Sequence, residues 1–169
     1  MSTDGTDEVD RIVAAWRRER PDLDAAPLEV FSRITRLARH LDLARRGALA
    51  GSDLEGWQFD VLSALRRAGD PYQLTPTQLV ADTMVSSGTM TNRVDKMQAL
   101  GLVRRGHHER DRRVILVSLT DDGLARVDRT MSDLLDAERE LLAGTPPEET
   151  AALSSLLRGL MTRFEPDRG

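Results

Sequence analysis

Apolar residues recur at three- and four-residue steps through most of the chain, and that spacing predicts helices. Val9, Ile12, Val13 and Trp16 share one face of a first short helix over residues 7–20. Pro21 and Pro27 bracket a loop. Leu28, Phe31, Ile34, Leu37, Leu41 and Ala44 then mark a longer helix over residues 28–49, broken by Gly51 and Ser52. Trp57, Val61, Leu62 and Leu65 mark a third over residues 55–67, closed by the turn Gly69-Asp70-Pro71. Thr75 ahead of Pro76 is a helix start that leads into a short helix carrying Leu79 and Val80. Ser86 or Ser87 can cap the next helix, with Met90, Val94, Met97 and Leu100 inside and Gly101 as its stop.

At Gly101 the period changes. Residues 102–106 and 113–119 alternate or are β-branched, which predicts two strands, and the all-polar 106–112 predicts their hairpin tip. Thr120 caps a long helix to about Leu142, with Leu124, Val127, Met131, Leu134, Leu135, Leu141 and Leu142 as its apolar stripe. Thr145-Pro-Pro-Glu148 reads as a capping box opening a last helix that bears Leu153, Leu156, Leu157, Leu160, Met161 and Phe164. Met84, Met90 and Met97 read as core fillers.

A helix, a tight turn, a second helix and a hairpin make a winged helix-turn-helix. The fold class expected is mainly α with a small β-hairpin wing, a winged lobe joined to a helical dimerisation lobe. The expected organisation is N-terminal helices for dimerisation and a ligand cleft (1–50), a DNA-binding lobe (51–120) and C-terminal dimerisation helices (121–169). The terminal stripes find no partner in so small a central lobe, so a second copy of the chain is the expected one.

Charge sharpens this picture. The protein is acidic overall, with net charge −4. Between Ser86 and Arg113, however, Arg93, Lys96, Arg104, Arg105, Arg110, Arg112 and Arg113 outnumber Asp95, Glu109 and Asp111. A local basic patch is the electrostatic footprint of a nucleic-acid partner. Ser86, Ser87, Thr89, Thr91, Asn92 and Lys96 lie on or at the start of the outer face of the presumed recognition helix, where short hydroxyls and amides reach phosphates and base edges of duplex DNA. Arg110, Arg112 and Arg113 at the hairpin tip suit an adjacent minor groove. Asp111 among them is expected to be an orienting ion-pair partner. With no cysteine, disulfide and thiolate chemistry are excluded. The acidic N-terminus, residues 1–10, lacks the apolar core of a signal peptide, and no apolar run has membrane-span length, so the expected location is the cytoplasm with no membrane partner. His107, His108 and Glu109 lack a third strong metal ligand, and Asp121 and Asp122 read as first-turn acids. No nucleophile–base set or cofactor fingerprint occurs, so neither an enzyme nor a cofactor is expected. A winged-helix module for protein contacts is the alternative reading.

Ser86-Ser-Gly-Thr-Met-Thr-Asn-Arg93, Leu100-Gly-Leu-Val-Arg-Arg105, Asp111-Arg-Arg113 and Leu119-Thr-Asp-Asp-Gly123 together resemble the corresponding run of MarR-family regulators. The resemblance spans about residues 28–165. It implies an obligate homodimer that reads a pseudo-palindromic operator, with Arg112 and Arg113 in the minor groove. One departure is His108-Glu109, where the family more often has Asp-Pro. The added N-terminal helix Asp10-Arg-Ile-Val-Ala-Ala-Trp16 resembles the urate-responsive (PecS-like) and aconitate-responsive (TamR-like) branch. That likeness implies a small anionic effector held by Trp16, Asp60, Arg93 and Arg104. The chemistry is coherent: two arginines neutralise an anion, Asp60 accepts a proton or orients an arginine, and Trp16 offers a stacking face. The bland alternatives are Trp16 as a core anchor, Arg93 as a phosphate contact and Asp60–Arg93 as a structural ion pair.

Overall fold

Seven helices and a three-stranded sheet follow one another along residues 5–164, the part of the chain that the structure, a computed structural model, describes. Each helix starts where local chemistry favours it. Asp7 caps α1 (Glu8–Glu19): its carboxylate accepts from the amides of Val9 (2.8 Å) and Asp10 (3.0 Å), and Asp10 accepts from the Asp7 amide. Next come α2 (Ala26–Ala50) and α3 (Gly56–Arg67). Thr75 and Gln78 form a reciprocal cap on α4 (Pro76–Thr83), and Ser86 caps α5 (Ser87–Ala99). Gly101, at φ 73°, supplies the left-handed residue that ends α5. Thr120 caps α6 (Asp121–Leu141), whose first turn carries Asp121 and Asp122.

The last helix departs from expectation. α7 (Pro147–Met161) has Pro146 as its N-cap, with no side-chain cap. A residue that precedes proline is held out of the helical region, so the second proline delays the start by one residue. Thr145 instead closes the turn after α6 through its amide to the Leu142 carbonyl, 3.0 Å. Phe164 falls beyond the helix.

The wing holds a strand that the pattern did not announce. β2 (Val103–His107) and β3 (Ile115–Leu119) pair antiparallel, Val103 against Leu119 and His107 against Ile115. β1 (Gln73–Leu74) pairs with the other edge of β3, giving the order β1-β3-β2. Two residues are too few to show a period; the β3 edge recruits them.

The principal core joins α3, α4, α5, the sheet and the front of α6 through Phe59, Leu62, Leu65, Leu79, Met90, Val94, Met97, Leu102, Val117 and Val127. Leu124, Met131 and Leu134 pack against it, so α6 has a partner inside the central lobe after all. Past that point α6 and α7 show apolar surface: Leu141, Leu142, Leu153, Leu156 and Met161 are exposed, as are Phe31, Leu37 and Leu41 on α2, and α7 buries no residue. Among the described residues no helix is long and apolar enough to cross a membrane.

A second, small cluster docks α1 on α2 through Val9, Val13, Ala25 and Leu28. Ion pairs clamp it: Arg33 to Asp7 (2.8 Å) and Asp10 (2.7 Å), Arg36 to Glu8 (3.2 Å), Arg17 to Glu29 (2.6 Å). The Arg33 guanidinium, helped by the Asp10 and Val9 amides, holds the Asp7 carboxyl down at about 2, and Arg36 holds that of Glu8 below its ordinary value. For a carboxyl depressed in the folded state, the contribution is complete above the unfolded value and disappears as pH falls through the folded one. We therefore expect α1 docking, followed by amide exchange of residues 8–19, to be constant from about pH 5 to 8 and to weaken only between about pH 4 and 2. Loss of protection already at pH 5–6 contradicts this clamp.

Candidate functional site

Helix α5 is fixed from within and open outside. Met90, Val94 and Met97 are buried, while Ser87, Thr89, Thr91, Asn92 and Lys96 are exposed. At its start the Ser86 Oγ accepts from the Thr89 amide (3.3 Å) and shares a 2.8 Å hydrogen bond with the Thr89 hydroxyl. The Thr91 hydroxyl donates to the Ser87 carbonyl, 3.1 Å. This end of the helix therefore combines ordered hydroxyls with the positive end of the helix dipole, a favourable setting for phosphate.

The wing is braced against that helix by a residue that sequence reasoning passed over. In β2 successive side chains take opposite faces. Arg105 turns to α5, where it pairs with Asp95 and donates to the Thr91 carbonyl, 3.4 Å. Arg104 takes the other face, in a cleft of about 580 Å³ with Pro71, Gln73, His107, His108, Glu109, Arg110 and Leu116. At the tip, Arg110, Arg112 and Arg113 are all exposed. Asp111 is not their ion-pair partner: its carboxylate accepts from the Arg113 amide (3.0 Å) and its carbonyl from the Val114 amide (3.0 Å). An aspartate satisfies the amide two residues on more readily than it holds a distant flexible guanidinium, so it shapes the turn and leaves the arginines outward. Met84 is likewise no core filler. It occupies the left-handed turn between α4 and α5 (φ 52°), where the chain reversal leaves it 92% exposed, unlike buried Met90 and Met97. Among the described residues no group of three His, Cys, Asp or Glu could hold a metal ion.

The four residues expected around an anion do not converge within one chain. Asp60 pairs with Arg45 of α2, not with Arg93. Arg93 instead sits over the Trp57 ring, 5.5 Å from its centre, and Arg45 also lies 5.6 Å from that of Phe59. Trp57 and Asp60 are three residues apart on α3 and so neighbours on one face. The resulting cluster is Arg45, Trp57, Asp60 and Arg93, with Asp60 and Arg45 partly exposed. Trp57 was legible from that spacing. Arg45, fifteen residues from Asp60 on another helix, gave no local signal. Arg104 lies apart in the cleft behind the wing.

Trp16 is elsewhere too. Its neighbour Arg17 is tied to Glu29, near the start of α2, whereas Asp60 is tied to Arg45. Sixteen residues of helix separate those anchors by ~24 Å. Trp16 is also 49% exposed, so it is not a core anchor either. It can meet an Asp60 cluster only from a second protomer.

A family model described as the MarR family matches residues 52–114. The chain is 37% identical over 150 residues to the HTH-type transcriptional regulator PecS of Dickeya dadantii, covering 89% of this chain and 90% of that protein. It is 31% identical over 114 residues to the multiple antibiotic resistance protein MarR of Salmonella typhimurium, covering 67% and 77%. Among solved structures, Bordetella bronchiseptica BpsR, whose DNA binding is regulated by 6-hydroxynicotinic acid, superposes with TM-score 0.63 at 28% identity, covering 78% of this chain and 92% of that one. A MarR mutant from E. coli complexed with operator DNA superposes with TM-score 0.65 at 25% identity, covering 86% and 96%. The exposed recognition helix, the braced basic wing and these relatives place the chain together: it belongs to the MarR family of winged helix-turn-helix, DNA-binding transcription regulators, which are not enzymes.

Proposed function

We propose that this regulator is a cytoplasmic homodimeric repressor that binds a pseudo-palindromic operator and leaves it when a small organic anion binds. In this reading residues 51–120 form the reading head. Residues 1–50 and 121–169 supply the dimerisation helices, whose exposed apolar faces on α2 and α7 cover one another across two chains. Two α5 helices then enter successive major grooves, ~34 Å apart. A protein-docking role for the basic patch is less well supported, because three outward arginines beside a hydroxyl-rich helix suit phosphate and base edges better.

One observation carries the effector. Arg93 belongs to the recognition helix, yet its guanidinium lies on Trp57, one helical turn from the Asp60 that ties the reading head to α2. An anion at that junction acts on the recognition helix and on the scaffold at once. Its effect equals its differential affinity for the DNA-bound and released arrangements, and DNA weakens anion binding by the same factor. Urate or a citrate- or aconitate-type acid fits the charge, and the 6-hydroxynicotinic acid response of BpsR supports a compact organic acid. Trp16 joins from the second protomer, and Arg104 follows the wing as it moves.

The test is a titration of each acid into the protein–operator complex, with light scattering on the same sample. We expect a dimer, and a loss of DNA affinity of roughly 5–150-fold at saturation. Trp16→Phe should lessen the loss without altering DNA binding in its absence. A monodisperse monomer, or a DNA affinity indifferent to millimolar amounts of all these acids, removes this function.

A further inference from the structure

Asp60 is held by the wrong arginine for a simple anion clamp, and the difference has a use. Its partner, Arg45, projects from the scaffold helix α2 and meets both Asp60 and the edge of Phe59 on α3. Arg46, the next residue, stays on its own helix and pairs with Asp42 one turn back, 2.6 Å away. Arg45 is thus the α2 side chain that ties scaffold to reading head by charge. The pair is partly exposed, with 37% of the Arg45 side chain and 47% of that of Asp60 open to solvent. An ion pair in such a setting is weak, and another anion can replace one member.

We propose that Arg45 is an effector-binding residue that exchanges Asp60 for the carboxylate of a planar aromatic acid, and that the Asp60 so released takes Arg93 from the recognition helix. The proposal rests on the effector reading above and assigns its contacts. Each charge keeps a partner throughout: the effector carboxylate replaces Asp60 on Arg45, and Asp60 replaces the Trp57 ring under Arg93. Asp60 is the carboxylate suited to the second step, because Trp57 and Asp60 are neighbours on one face of α3 and Arg93 already lies over Trp57. When Arg93 leaves, the Trp57 ring face becomes open to the aromatic ring of the acid. The relay runs from α2 to α3 to α5, so a ligand on the scaffold moves the helix that reads DNA. The acid must carry both parts, a carboxylate for a bidentate guanidinium contact and a flat ring for the indole.

The experiment is calorimetric titration of the intact protein with 6-hydroxynicotinate and with its uncharged amide, together with operator affinity in their presence. The wild type should bind the acid at least about tenfold more tightly than the amide, the loss expected for one charge-assisted contact. Arg45→Ala should bring that ratio close to one, and Arg46→Ala should leave it unchanged with the same helix content by circular dichroism. Asp60→Asn provides the decisive sign. Removing the competitor for Arg45 should tighten acid binding a few-fold while abolishing the effect of the acid on DNA affinity. Weaker acid binding by Asp60→Asn, or an undiminished acid preference in Arg45→Ala, overturns the exchange. A wild type released from DNA by urate or citrate but blind to 6-hydroxynicotinate overturns it too, and leaves the effector reading standing. A wild type blind to every acid ends both.

Discussion

Gly123→Ala is expected to lower the stability of the protein by at least about 3 kcal/mol, the upper end of what overpacking ordinarily costs. Gly123 is the last residue of the Leu-Thr-Asp-Asp-Gly motif and lies in the first turn of α6, where its backbone is ordinary helix and needs no glycine. Its constraint is steric: a Cβ there would stand 2.1 Å from the carbonyl oxygen of Leu102. The obstacle is backbone, not a side chain that can swing away. The same carbonyl accepts from the Thr120 amide (3.2 Å) and hydroxyl (3.1 Å), so pushing it aside loosens the cap of α6 and the entry to β2 together. For a chain of this length the fall in melting temperature should be roughly 6–12 °C. Gly47→Ala is the contrast. It lies inside α2 with nothing within 4 Å of its added Cβ, and should stabilise by up to about 1 kcal/mol. A melting temperature for Gly123→Ala within about 2 °C of the parent, by calorimetry, refutes the close approach.

The second large effect is expected at the wing. Arg112→Ala with Arg113→Ala removes two outward guanidiniums from each wing, four from a dimer, while Asp111 keeps its turn because it holds the Arg113 backbone amide and not the side chain. At about 1 kcal/mol or more per charged group, operator affinity should fall at least about 100-fold. The slope of log affinity against log salt should flatten by about 0.9 for every phosphate that the variant no longer neutralises. The folded state should be untouched, since both side chains are exposed. Arg105→Ala separates positioning from direct phosphate binding. Arg105 faces α5 and Asp95, so its removal should weaken binding with less change in salt slope than the double variant. Affinity and slope both unchanged in the double variant would exclude the wing from the DNA interface.

Much of this protein was determined along the chain itself. Every helix lay where the apolar period placed it, because a helical face that must be buried imposes its spacing on local sequence. Capping residues with nearby partners were legible for the same reason: Asp7, Thr75, Ser86 and Thr120 bond to amides two or three residues on. The reading head could be located because hydroxyls and arginines gather within 28 consecutive residues, from Ser86 to Arg113. Only the tertiary structure decided pairings between distant segments. A two-residue β1 exists because the edge of β3 was available, and α7 starts late because consecutive prolines compete for one cap. Asp60 met Arg45 and not Arg93, Arg105 and not Arg104 turned to the recognition helix, and Trp16 was set about 24 Å along α2 from the cluster it was expected to join. Charge type says that a guanidinium will seek a carboxylate. Which one it reaches depends on helix packing and strand parity, and neither is encoded in the residues beside it.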